Sequence, residues 1–103
     1  MKKINHRQSA KRTLNIEAEA LTNLSNNLNH DFTKLCNYLL ACKGKIITLG
    51  VGKSGHIAQK ISATLASTGS PSYFIHATEA QHGDIGIISK KDSVLLISHS
   101  GES

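Results

Sequence analysis

The sequence has 103 residues, enough for one small domain and short of what a full doubly wound sheet needs. Tryptophan is absent and aromatic residues make up 4%, which argues against base stacking on a nucleic acid. The net charge of +5 does not change this, because Lys2, Lys3, Arg7, Lys11 and Arg12 fall in the first dozen residues with no acid, while from Thr13 onward seven Lys or Arg balance seven Asp or Glu.

A basic head on a neutral body reads as a solvated helix start rather than a nucleic-acid arm. No apolar run is long enough to span a bilayer, and no apolar h-region follows the basic start. The expected location is therefore cytoplasmic, without a membrane partner. Cys36 and Cys42 are too far apart for a CxxC motif, and free thiols are expected.

From about residue 10 to residue 28, Leu14, Ala18, Leu21, Leu24 and Leu28 recur at steps of three and four, giving one apolar helical stripe. Asp31 is placed to cap a second helix with Phe32, Leu35, Cys36, Leu39 and Leu40 on its inner face, both cysteines acting as core filler. Lys43 and Gly44 mark its end. Residues 45–49 are mostly β-branched or apolar between Gly44 and Gly50, and read as a short buried strand.

The chain then turns at Gly50 and Gly52, and a helix follows from Ser54. Ile57, Ile61 and Leu65, with Ala58 and Ala63 as small neighbours, are expected to pack this helix on the sheet, and it ends near Gly69, before Pro71. Residues 72–75 form a second strand. Residues 77–84 read as a loop, residues 85–88 as a brief apolar segment, and residues 93–98 as a third strand. This order implies a parallel α/β sheet whose strand ends share one edge. Loops 50–55, 76–84 and 98–103 meet there, where open α/β sheets bind ligands.

Strand, glycine turn and helix N-terminus make an anion site, and a phosphate is its natural guest. A P-loop is excluded, because Ile47 stands where its first glycine belongs. Gly50, Gly52 and Gly55 formally satisfy GxGxxG, but the acid expected at the end of the next strand is missing: that strand ends at His76, and Glu79 comes late. The last loop contributes Ser98 and Ser100, so the phosphate is expected near Gly52, Ser54 and those serines. A cation at a helix N-terminus is unfavourable by about 0.3–1 kcal/mol, so Lys53 suits a bound anion better than a bare helix start. His76, at a strand end, reads as a strand cap or a ligand contact. His82, beside Gly83 and Asp84 at the ligand edge, reads as functional. His56 reads as a helix-surface residue. His6, His30 and His99 carry no functional case beyond position.

Several stretches together resemble the arabinose-5-phosphate isomerases of the sugar-isomerase (SIS) domain family. They are residues 50–56 (GVGKSGH), residues 66–72 (ASTGSPS), His76, residues 79–84 (EAQHGD) and residues 98–103 (SHSGES). The resemblance runs from about Leu14 to the last residue. It departs from the family at His99, where Asn is usual.

The resemblance implies a parallel three-layer αβα doubly wound sheet of SIS type, truncated and preceded by a helical pair. Residues 1–43 would be the helices and residues 44–103 the N-terminal portion of the SIS domain. It implies interconversion of D-ribulose 5-phosphate and D-arabinose 5-phosphate through an enediol, on the route to Kdo in lipopolysaccharide or capsule, in a homo-oligomer. Lys53 would lie at the active site, and Gly69, Ser70, His76 and His82 would contact substrate. No cofactor would be required, and an inhibitory zinc could sit at His76. The chain would be the first third of such an enzyme, inactive alone. The competing expectation is a non-catalytic sugar-phosphate-binding SIS module or a gene fragment.

Overall fold

The computed structural model describes residues 3–80 and 84–100, with the backbone alone at residues 84 and 85. The chain divides into two compact units, Met1–Cys36 and Asn37–Ser103.

The first unit contains α1, His6–Asn26. It starts earlier than expected because Asn5 caps it, its side-chain oxygen accepting the Gln8 N–H at 3.0 Å. The apolar stripe is present, but no residue of α1 is buried, and Leu21 is 68% exposed. An amphipathic helix buries its stripe only against a second surface.

The second helix, α2 (His30–Leu40), runs from the first unit into the second. Asn29 caps it in place of Asp31, accepting the Asp31 N–H at 2.9 Å. Asp31 sits in the first turn, where its charge complements the positive end of the helix. The expected inner face is not buried. Leu40 is 83% exposed and Phe32 is 50% exposed, while Leu39 and Cys36 are only half-buried. Cys36 and Cys42 are free thiols, and both lie at the margin of packing rather than in a core.

The second unit is built on three parallel strands in the order β2-β1-β3: β1 Ile46–Gly50, β2 Ser72–His76 and β3 Ser93–Leu96. All five residues of β1 are buried, as expected for a strand covered on both faces. The register sets Ile46 against Ser72 and Ser93, and Leu49 against Ile75 and Leu96.

Alternation sends Ile47 and Leu49 to one face, where they join Ile75, Ala80 and Ile88 in the core. The other face carries Ile46, Thr48 and Gly50 beneath α3, Gly52–Ser67. The short helix α4, Ala77–Ala80, and a 3-10 turn, Asp84–Ile87, replace part of the expected loop.

The α3 interface keeps only part of the expected face: Ile57 is exposed, Ile61 and Leu65 are half-buried, and of the two expected small neighbours Ala58 is buried and Ala63 exposed. Its buried residues are Gly55, Ala58 and Ser62. Small side chains let the helix lie close to the sheet, and hydroxyls then join the layers. The fully buried Thr48 hydroxyl donates to the Ala58 carbonyl at 2.8 Å. Ser72 Oγ donates to the Ile46 carbonyl at 2.6 Å, so Ser62 Oγ, 2.9 Å away, donates to Ser72. Among the described residues every buried hydroxyl therefore has a partner, which is what close burial of polar groups requires.

At the N-terminal edge of the sheet, Asp92 clasps β1 to β3. Its carboxylate accepts the Lys45 and Ser89 N–H groups, each at 2.8 Å, and pairs with Lys45 Nζ at 3.2 Å. The Ser89 amide first, and the Lys45 amide next, hold its carboxyl at about 2, below the ordinary 3.8. A carboxyl lowered by folding stabilises the fold above its unfolded value, and that contribution is lost as pH falls toward the folded one. Asp92→Asn should therefore melt below the wild type at neutral pH, and the gap should close as pH drops from about 4 to about 2. Melting curves for the two proteins across that window check this; a gap independent of pH would contradict it.

Candidate functional site

Parallel pairing sets the C-terminal ends of the three strands side by side. Gly50 pairs with His76, and the Ile97 N–H donates to the Leu49 carbonyl at 2.8 Å just beyond β3. The loops that leave these strands start from one edge.

After β1, Val51 is extended and Gly52 takes φ +59, a left-handed value that opens α3 at low cost only for glycine. Gly50 is needed for space. A Cβ there would stand 2.7 Å from the Ser54 carbonyl oxygen and 2.9 Å from the Gly55 nitrogen. Gly55 is the reciprocal case, since its Cβ would lie 3.0 Å from the Gly50 carbonyl oxygen. Strand end and first helical turn thus touch backbone to backbone.

The start of α3 is electrostatically unbalanced. Val51 at the N-cap gives no side-chain hydrogen bond, and the first turn contains no acid. Such a helix start, with its leading N–H groups and the positive end of its dipole, favours negative charge nearby. Lys53 adds a further positive charge to the same turn.

An open cleft of 860 Å³ lies against this turn, lined by Val51, Lys53, Ser54, Ile57, Ile97, Ser98 and His99. It brings the first loop and the loop after β3 together. Its chemistry is mixed: amides, hydroxyls and a cation at one side, and the aliphatic Val51, Ile57 and Ile97 at the other.

The structure sorts the candidate residues. Lys53, Ser54 and Ser98 line the cleft, and Gly52 opens the turn beside it. Ser100 follows on the same loop, two residues past Ser98. His76 is exposed at the end of β2, opposite Gly50, with its ring edge-on to Phe74 at 6.2 Å. His82 lies outside the described residues.

Gly69 and Ser70 are not brought to the cleft. They close the other end of α3: Gly69, at φ +102, donates its N–H to the Ala66 carbonyl, and the Ser70 N–H donates to the Leu65 carbonyl at 2.9 Å. Both line a separate pocket of 180 Å³ with Gly44 and Pro71. A helix of 16 residues, about 24 Å long, separates them from the first turn.

Sequence reasoning missed Ile57 and His99 as cleft residues. Ile57 could have been found, because it stands four residues after Lys53 and three after Ser54, on the face of the first turn. His99 has no such signal.

Among the described residues, no three His, Cys, Asp or Glu side chains come together to hold a metal. An ion held by three such side chains at His76 would have to draw at least one of them from outside the described residues. No described helix is long and apolar enough to cross a membrane.

The geometry is that of a parallel α/β domain with a helix N-terminus that lacks a side-chain cap at its strand ends. The chain belongs to the SIS domain family, whose model matches residues 39–103. It is 49% identical over 100 residues to an arabinose 5-phosphate isomerase of Yersinia pestis, covering 97% of this chain and 30% of that relative. It is 52% identical over 95 residues to the corresponding isomerase of Pseudomonas aeruginosa, covering 92% of this chain and 29% of the relative. Among solved structures, an Escherichia coli CFT073 protein in complex with arabinose 5-phosphate superposes with a TM-score of 0.92 at 44% identity, covering 100% of this chain and 55% of that one. The chain thus spans about 30% of the length of the curated relatives it matches.

Gly50 and Gly52 test the geometry of the turn, with Gly86 as a control. Gly50→Ala should destabilise the domain by about 1–3 kcal/mol, since its methyl would press on helical backbone. Gly52→Ala should cost about 1–2 kcal/mol for its left-handed φ alone. Gly86→Ala, with nothing within 4 Å of the added carbon, should be close to neutral. Denaturant unfolding of the three variants measures the order, and a neutral Gly50→Ala would contradict the close approach.

Proposed function

We propose that this chain forms the phosphate-binding part of the active site of an arabinose 5-phosphate isomerase, which interconverts D-ribulose 5-phosphate and D-arabinose 5-phosphate. The observation that carries the proposal is the cleft in which the uncapped start of α3 meets the loop after β3. The names of the relatives and the arabinose 5-phosphate held by the Escherichia coli protein supply the substrate class.

In this reading the phosphate lies on the amides of Gly52 to Ser54, with the hydroxyls of Ser54, Ser98 and Ser100 as further polar groups. Binding the phosphate there holds the sugar carbons along the strand ends. Isomerisation needs a base to move a proton between C1 and C2, and a positive or hydrogen-bonding group for the enediolate oxygen. Lys53 and His82 are assigned to the reacting end, and His76 to the sugar. Gly69 and Ser70, whose pocket is at the far end of α3, would contact substrate only at a place other than this cleft.

Residues 44–103 then form the first portion of the catalytic domain, and residues 1–43 the helices before it. The whole protein would act in the cytoplasm as a homo-oligomer, on the route from pentose phosphate to Kdo.

Ser54→Asp places a carboxylate where the phosphate should lie. It should abolish arabinose 5-phosphate binding in calorimetry while the domain stays folded; unchanged affinity would place the phosphate elsewhere. In the full-length protein, Lys53→Ala and His82→Ala should each lower turnover about 100-fold, equivalent to about 2.7 kcal/mol of transition-state stabilisation. Near-normal turnover in both would remove them from the site.

A further inference from the structure

His76 makes two contacts with Thr78 through a single ring nitrogen. The Thr78 N–H lies 3.3 Å from His76 Nδ1, and Thr78 Oγ1 lies 2.6 Å from the same atom. An amide N–H can only donate, so Nδ1 must present its lone pair. The hydroxyl can donate or accept, and next to an unprotonated Nδ1 it donates. One protonation pattern of the neutral ring satisfies both contacts: the proton on Nε2 and the lone pair on Nδ1. The Phe74 ring, edge-on at 82°, restricts the imidazole from another side.

This arrangement sits at the ligand edge. His76 pairs with Gly50, the residue from which the phosphate turn departs, and adjacent strands lie about 4.8 Å apart. His76 does not line the cleft itself, so a ligand whose phosphate rests on the first turn of α3 would have to extend past Gly50 to meet it. We propose that Thr78 is a positioning residue, which holds His76 in the tautomer that offers Nε2–H as a hydrogen-bond donor to a hydroxyl or carbonyl oxygen of the bound sugar. The inference rests on the assignment of His76 to the sugar. It adds the direction of that hydrogen bond and the residue that determines it. Thr78 touches no substrate in this account. It acts through the ring, and a hydroxyl at position 78 is its requirement.

The test uses the intact protein with ¹⁵N-labelled histidine at mildly alkaline pH. His76 signals are assigned by their loss in His76→Gln. The wild type should show one tautomer, with a protonated Nε2 and a hydrogen-bonded, unprotonated Nδ1. Thr78→Val keeps the side-chain shape and the amide contact, which at 3.3 Å is the longer of the two, but removes the 2.6 Å hydroxyl contact, and should raise the share of the Nδ1–H tautomer above that of the wild type. Thr78→Ser should restore the wild-type signals. Because Thr78 is exposed, both variants should fold, and their backbone spectra check it.

Calorimetry with two probes then separates positioning from the phosphate site itself. Thr78→Val should weaken arabinose 5-phosphate binding about three- to tenfold, the range of one neutral hydrogen bond, and leave inorganic phosphate affinity unchanged. A wild-type proton on Nδ1, a Thr78→Val spectrum identical to wild type, or an unchanged arabinose 5-phosphate affinity in a variant with altered tautomers would each overturn the proposal. A wild type that binds neither probe would instead overturn the functional reading of the cleft, and the imidazole spectrum would still decide what Thr78 does to His76.

Discussion

The fold and the site depend on one close approach, the backbone contact between the end of β1 and the first turn of α3. Gly50 and Gly55 leave no room for a Cβ between them. Their contact brings α3 down onto the sheet, so that its seam is made by Gly55, Ala58 and Ser62. The same contact aims the first helical N–H groups out over the strand ends. Packing and anion chemistry thus come from the same atoms, and a bulkier side chain here would disturb both.

The two edges of the sheet are treated differently. At the N-terminal edge the polar groups satisfy one another: Asp92 accepts two amides and pairs with Lys45, and the turn after α3 closes its own carbonyls through Gly69 and Ser70. At the C-terminal edge the start of α3 has neither a side-chain cap nor an acid. In the proposed reading this helix end holds the phosphate of the ligand. This contrast, and not the glycine pattern alone, is the reason for proposing the ligand at that edge.

Much of this was legible in residue order. The buried strand, the turn at Gly50 and Gly52, the stop at Gly69 and Pro71, and the parallel order of strands all follow from local chemistry and period. The two helices before the sheet were legible as helices, but not in their burial. Leu14, Leu21 and Leu40 keep an apolar period and are nonetheless exposed, because a periodic pattern states which face seeks cover and not what supplies it. The seam of α3 was legible only at Ala58, for a related reason: Ile57 draws attention by size, yet only small residues fit so near a strand. Asp92 gave no signal, since its two amide partners lie 3 and 47 residues away and meet it only in the folded chain. The position of Gly69 and Ser70 also required the structure. Their sequence neighbourhood resembles a substrate loop, but α3 places them at the opposite edge from Gly52.

The most direct test of where the ligand binds is a crystal structure of the protein with arabinose 5-phosphate. The account predicts phosphate oxygens within about 2.7–3.2 Å of the amides of Gly52, Lys53 and Ser54, with the sugar running toward His76. Phosphate density in the pocket of Gly69 and Ser70, or anywhere away from the first turn of α3, would contradict it.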